Sequence, residues 1–152
     1  MSFEDAFQIA HNFFTTKPVS KKALCHLKKG HEIRLLLNSR QECALYFEAG
    51  QVILEQRPSP KADVEFLIAP EALRLLSTRP GESAAQFGID IVKEILAGNV
   101  KIRVCGSIYR VLRGGYLSMI TSAGPKFMEY LASHGLTSVD KVYQLIRSLK
   151  NR

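Results

Sequence analysis

Between Glu32 and Ala69 the apolar residues of this chain recur at every second position, whereas on both sides of that stretch they recur at helical spacing. A period of two places alternate side chains on opposite faces of a strand, and a period near 3.6 gives a helix with one apolar side. Ile33, Leu35 and Leu37 alternate with Arg34 and Leu36. Cys43, Leu45 and Phe47 alternate with Ala44, Tyr46 and Glu48, and Val52 and Leu54 alternate with Ile53 and Glu55. Turns at Asn38-Ser39-Arg40-Gln41 and near Ala49-Gly50 join these strands into an antiparallel meander. Pro58 and Pro60 interrupt pairing, and a fourth strand carries Val64, Phe66 and Ile68 on one face. Much later, Val100, Ile102 and Val104 alternate with Lys101 and Arg103 as a fifth strand. The expected class is α+β: a five-stranded, mostly antiparallel sheet covered by helices, with extra helices at the N- and C-terminal ends.

The helices announce themselves by their ends. Ser2 with Asp5 reads as an N-cap before Phe3, Ala6, Phe7, Ala10, Phe13 and Phe14, and this first helix ends before Pro18. Ser20 is read as the start of a short second helix with Ala23, Leu24 and Leu27 on one side, closed by Gly30. Pro70 suits a first helical turn, with Ala72, Leu73 and Leu76 as the buried side, and Thr78-Arg79-Pro80-Gly81 is a loop. From Ala84 to Leu96 a wide apolar arc leaves only Gln86, Asp90, Lys93 and Glu94 clearly polar, so cover on more than one side is expected. A helix after Ile108 is weakened or kinked at Gly114-Gly115, since each glycine costs about 1 kcal/mol inside a helix. Gly124-Pro125 breaks the chain, Gly135 stops the helix that follows, and Thr137 with Asp140 is read as the cap of a last helix built on Val139, Val142, Ile146 and Leu149.

At 152 residues the chain is long enough to bury a core without staples, and 46% hydrophobic with 23% charged residues is ordinary for a globular protein. We expect one domain over residues 1–152: a basic helical N-terminal extension at 1–30, a sheet-and-helix core at 31–122 and C-terminal helices at 123–152. No apolar stretch reaches the ~20 residues of a membrane span, and Glu4 and Asp5 stand where a leader would be basic. Cys25, Cys43 and Cys105 form no C-x-x-C pair, so buried free thiols in a reducing cytoplasm are expected. The net charge of +7 is uneven: residues 17–40 hold seven basic side chains against one acidic, and Lys101, Arg103, Arg110 and Arg113 form a second basic stretch. Such patches attract phosphate, of nucleic acid or of lipid head groups.

The motifs of common chemistry are missing from the sequence. There is no G-x-S-x-G turn, no P-loop and no dinucleotide fingerprint, and Gly114-Gly115 lacks the spaced glycines of a phosphate cradle. Cys25, His26 and His31 match no standard metal spacing, so surface or packing roles are expected of them. His11 and His134 stand alone. Glu55, Asp63 and Glu65 are read as solvated carboxylates on an outer strand face rather than as an acid-base pair. No catalytic residue, metal or cofactor is assigned, and the chain reads as a protein that is not an enzyme.

From about His31 to Ile120 the order of elements resembles the sterol carrier protein type 2 family. Ala62-Asp63-Val64-Glu65-Phe66-Leu67-Ile68-Ala69-Pro70-Glu71-Ala72-Leu73-Arg74-Leu75-Leu76 is similar to that family's Ala-Asp, alternating strand, acidic helix start and Leu-Leu. Ala97-Gly98-Asn99-Val100-Lys101-Ile102-Arg103 is similar to its Gly-Lys-apolar-Lys-Ile-Lys strand. The family usually continues with Gly-Asp, where this chain has Val104-Cys105 before Gly106-Ser107. The helix from Ala84 is also longer than usual, and both ends of the chain lie outside the resemblance.

The resemblance implies an apolar tunnel between sheet and helices that takes lipids or fatty-acyl chains. By the chain's own pattern, Phe66, Leu73, Leu76, Phe87, Ile91, Ile95 and Val104 are available to line it, with Phe127, Met128 and Leu131 closing it. The alternative for each is packing alone. The leading reading is therefore a non-catalytic module that binds or presents a lipid or another long apolar molecule, as an accessory to lipid or quinone metabolism. Its expected partner is an apolar small molecule with a lipid, fatty-acyl or isoprenoid chain. Lys21, Lys22, Lys28 and Lys29 offer contact with an anionic membrane surface, and the Phe3, Phe7, Phe13 and Phe14 stripe is read as core or pocket lid. The alternative is a nucleic-acid-binding or structural interaction module, in which Lys101, Arg103, Arg110 and Arg113 act with Tyr109 and Tyr116. The expected location is cytoplasmic, with peripheral attachment to a membrane.

Overall fold

The computed structural model describes residues 2–37, 41–78, 83–136 and 138–150. In chain order the elements are α1 (Phe3–Thr16), α2 (Pro18–Leu24), β1 (Ile33–Leu37), β2 (Gln41–Glu48), β3 (Gln51–Glu55), β4 (Val64–Ile68) and α3 (Pro70–Thr78). There follow α4 (Ala84–Leu96), β5 (Val100–Val104), α5 (Ile108–Arg113), α6 (Tyr116–Ser122), α7 (Pro125–Ser133) and α8 (Val139–Lys150). The loops at 38–40 and 79–81 expected from the sequence lie outside the described residues, as does Thr137.

The five strands form one sheet in the order β3-β2-β1-β4-β5. Only the central pair, β1 with β4, is parallel; the others are antiparallel. The register carries the period-two pattern across all five strands. Leu54, Leu45, Ile33, Val64 and Val104 stand in one row, and Cys43, Leu35, Phe66 and Ile102 in another. The first row is buried throughout, and each such side chain contributes roughly 1.5–3 kcal/mol relative to exposure. Helices α1 and α2 pack on β3, α3 packs on α1 and α4, and α4, α7 and α8 gather over the β5 end.

The opposite face is polar and tied together by ions. Arg34, Glu65 and Arg103 are cross-strand neighbours, with Arg34 Nη1 to Glu65 Oε1 at 2.9 Å and Arg103 Nε to Glu65 Oε2 at 3.1 Å. The loop between β3 and β4 folds back over this face. Ser59, fully buried, donates its N–H to Glu42 at 3.0 Å, and its carbonyl accepts from Arg34 Nη2 at 2.9 Å.

Several helix ends differ from expectation. The second helix begins at Pro18, two residues earlier than read, because Pro18 satisfies the N1 position itself. Ser20 is then inside the helix and buried, and its hydroxyl donates to the Phe13 carbonyl at 3.3 Å. The helix also stops at Leu24 rather than near Gly30. Gly114-Gly115 is a full break, not a kink. Gly115 has φ +94°, and a Cβ there would sit 1.9 Å from the His26 carbonyl oxygen, so only glycine lets α6 start against this loop. The last helix is capped by Ser138, whose hydroxyl accepts from the Lys141 N–H at 3.3 Å. Ser2 caps α1 as read, accepting from the Asp5 N–H at 3.2 Å.

Candidate functional site

Helix α4 sets the site. An amphipathic helix ordinarily buries its apolar stripe and exposes its polar one. Here Asp90 and Glu94 are among the buried residues, at 4% and 9% exposure, whereas Phe87, Ile91, Val92 and Ile95 stay only partly buried. Asp90 accepts from Gln86 Nε2 at 2.9 Å and Glu94 from Asn99 Nδ2 at 2.9 Å, so these carboxylates are anchored by near neighbours in sequence. The wide apolar arc is not packed solid; it faces a cavity.

That cavity lies between the core face of the sheet and the helices, in two lobes. The inner lobe, about 170 Å³, is bounded by α1, α2, α3 and the centre of the sheet. The outer lobe, about 360 Å³, is bounded by β4, β5, α4, α6 and α7, with Leu145 of α8 at its wall. The outer lobe falls in the lower range of small-molecule pockets, and the inner lobe is smaller than that range. Phe66, Phe87 and Ile91 line both lobes. Leu73 and Leu76 line the inner lobe alone, and Ile95, Val104, Phe127 and Leu131 the outer lobe alone. Met128 is half-buried and outside both walls, because it follows Phe127 on α7 and points away from it.

The sequence reading missed other wall residues. Met119 lines both lobes, while Gly88, Val111 and Tyr116 line the outer one. Gly88 lets the Phe127 ring approach α4, since a Cβ there would meet that ring at 2.8 Å. The phenylalanine stripe of α1 divides: Phe13 and Phe14 line the inner lobe, and Phe3 and Phe7 pack on the core from outside.

Beside the outer lobe stands a polar cluster that fixes its wall. Asp63 was read as a solvated outer-face carboxylate, and this is incorrect: it is fully buried. It precedes β4, where the backbone has turned inward; its N–H donates to Glu32 and its carbonyl accepts from Cys105 and Gly106. Its carboxylate meets His31 Nδ1 at 2.7 Å and accepts from Arg110 Nε at 3.0 Å and the Tyr116 hydroxyl at 3.1 Å. Tyr116 thus shows its ring to the cavity while its hydroxyl is held from behind. Burial, followed by the Asp63 charge and hydrogen bond, pushes that hydroxyl far above the usual tyrosine range. The cluster joins the loop before β1 to β4, α5 and α6.

The other two carboxylates are on the outer face as expected, though Glu65 is only 13% exposed. Burial raises the Glu65 pKa, but hydrogen bonds from Arg34 and Arg103 outweigh it and leave the group below the usual carboxylate value. Glu55 is also lowered, by hydrogen bonds from Tyr46 and Arg57.

Cys25 and His31 do not share a site: the Cys25 thiol donates to the Lys22 carbonyl and His31 faces Asp63. Among the described residues no group of three or more metal-binding side chains gathers. Cys43 is buried as expected, but Cys25 is exposed because it follows the end of α2, and Cys105 is intermediate. Lys21, Lys22, Lys28 and Lys29 are all exposed, and Lys22 also borders the outer lobe. In the second basic stretch, Arg103 is engaged by Glu65, Arg110 by Asp63, and Arg113 lies over the Tyr109 ring at 5.2 Å.

No family model and no curated protein matches the sequence. In fold the chain is similar to the solved structure titled "UbiJ-SCP2 Ubiquinone synthesis protein". That likeness has 18% identity and a TM-score of 0.45, and covers 80% of this chain and 94% of the other. A second likeness, to the stereoselective inverting sec-alkylsulfatase Pisa1 from Pseudomonas sp., has 23% identity and a TM-score of 0.40. It covers 59% of this chain but only 13% of that one. Among the described residues no helix is long and apolar enough to cross a membrane.

Proposed function

We propose that this chain is a non-catalytic binding module that holds a lipid or another long apolar molecule between its sheet and helices. The observation that carries the proposal is α4, which buries Asp90 and Glu94 and turns Phe87, Ile91 and Ile95 toward an apolar cavity. A helix whose apolar side is half open gains by covering that side, and a hydrophobic ligand supplies the cover. The candidate contacts are Phe66, Leu73, Leu76, Phe87, Ile91, Ile95, Val104, Phe127 and Leu131. Met128 takes no part in the walls and is set aside. Ser20 of the inner lobe is committed to the Phe13 carbonyl and the Tyr116 hydroxyl is held by Asp63 behind the cavity wall, which supports a holding role over a catalytic one.

An accessory role in lipid or quinone metabolism belongs to this proposal through the sequence resemblance. Delivery at a membrane surface is its second element, supported by four exposed lysines of which Lys22 borders the outer lobe. Each basic residue near an anionic bilayer is worth ~1 kcal/mol. The nucleic-acid alternative finds less support, since Arg103 and Arg110 are already held by Glu65 and Asp63.

Titration with an apolar fluorescent probe such as anilinonaphthalene sulfonate, against wild type and Ile95→Lys, tests the binding role. The reading expects saturable binding that hexadecanoic acid displaces, and about tenfold weaker binding to the variant. Absent or non-saturable binding to the folded wild type would remove the proposal.

A further inference from the structure

The cavity's two lobes meet at a junction made by Ala23, Ile33, Phe66, Phe87, Ile91 and Met119, the residues that line both. These come from α2, β1, β4, α4 and α6, so the boundary between the lobes is built from the sheet side and from the helix side. The Phe87 ring packs on Phe13 of the inner lobe, with centroids 5.2 Å apart. The junction side chains carry no hydrogen-bond donor and no acceptor stronger than the Met119 thioether. Beyond them the inner lobe is apolar except for Ser20, whose hydroxyl is committed to the Phe13 carbonyl. Buried water needs two to four polar partners, so this lobe suits hydrocarbon and does not suit water.

We infer that the site takes one flexible apolar chain, threaded past Phe87 into the inner lobe, and discriminates against rigid fused-ring lipids. The inference rests on the cavity being a ligand site and adds which shape of ligand it accepts. A polymethylene chain is slender and bends at every carbon–carbon bond, so it can follow a passage between two lobes. A steroid nucleus is broad and rigid; it must lie within one lobe and forfeit the contacts of the other. Phe87 is then the specificity-determining residue, because its ring sets the width of the junction and Phe13 limits how far that ring can swing.

The test is calorimetric titration of the full chain with octanol, dodecanol, hexadecanol and dehydroergosterol, each delivered from cyclodextrin, using wild type, Phe87→Ala and Phe87→Trp. In wild type, affinity should rise roughly threefold to fourfold per methylene through hexadecanol, as continued burial of CH₂ groups requires. Dehydroergosterol should bind about tenfold or more weakly than hexadecanol. Phe87→Trp should end the gain near dodecanol, and Phe87→Ala should narrow the gap between sterol and chain. Wild-type binding of dehydroergosterol as tight as that of hexadecanol overturns the inference while leaving the ligand site standing, and so does a Phe87→Trp length series identical to wild type. If no probe binds wild type, the ligand site itself fails. Should Phe87→Trp not fold, the chain-versus-sterol contrast in wild type decides alone.

Discussion

The two ends of the sheet are built from the same residue types and covered to different degrees. At the β1–β2 end, Leu37 and Cys43 are fully buried and Leu35 and Leu45 are 1% and 2% exposed. At the β5 end, Ile102 and the facing Phe87, Ile91 and Ile95 of α4 stay only partly buried. Hydrophobicity does not distinguish the ends. What differs is the cover: α1 and α2 pack on the first end and leave only the inner lobe, and α4 and the later helices enclose the larger space over the second. The first end is mostly core, with only the small inner lobe against Leu35 and Leu45; the second borders the larger outer lobe, where more contacts are left to be made. Truncation should therefore cost stability at the first end and affinity at the second.

The strongest way to break this contrast is to release the cluster that holds the site's wall. Asp63→Ala leaves the buried Tyr116 hydroxyl and the largely buried His31 without their shared acceptor, at an expected cost of about 3 kcal/mol. Urea unfolding measures it, and Asp63→Asn, which keeps an acceptor, should recover part of the loss. Leu37→Ala should cost about 2–5 kcal/mol, because this side chain is fully buried, borders neither lobe and leaves a void its packed surroundings cannot close. Ile95→Ala, beside existing space, should cost under about 1 kcal/mol and weaken apolar-probe binding. Equal losses at the two positions would erase the distinction between core and site.

The same contrast has a pH signature. Burial, with Glu42 nearby, pushes the Cys43 thiol of the filled end up to about 11 from an ordinary 9.0. A raised folded value means stability is fully present below pH 9.0 and is lost as pH rises toward 11. Glu65 on the outer face is lowered from 4.5, so its contribution is present above that value and lost as pH falls through the folded one. Unfolding free energy should fall above pH 9.0, and Cys43→Ala should reduce that fall while leaving the part the buried Tyr116 hydroxyl contributes at higher pH. The smallest effect is expected from Lys21, Lys22, Lys28 and Lys29 changed together to Gln. Stability should stay within about 0.5 kcal/mol, since all four are exposed. Flotation with anionic liposomes should drop, and equal flotation would remove the membrane element.

The sheet was legible because period two is a local signal: the alternation in Ile33–Leu37 and Val100–Val104 is the burial pattern itself. The three buried residues of α3 were legible for the same reason. Asp63 was misread because alternation was extended one residue beyond the strand, where the backbone turns inward to pair with Glu32 and Cys105. The burial of Asp90 and Glu94 in α4 was not legible, because amphipathic logic assumes that the apolar stripe meets a packed core. Phe13, Met119 and Tyr116 come to the walls from elements far apart in sequence, and a cavity is a property of how those elements fail to close. No spacing in a single chain records it.

The account's central claim is that the space over the β5 end holds a hydrophobic passenger. Native mass spectrometry of the protein purified from its own host, before and after organic extraction, tests this most directly. The account predicts a stoichiometric adduct that extraction removes, and an extract containing one flexible-chain compound. A protein at its bare mass throughout, with no apolar compound in the extract, would contradict it.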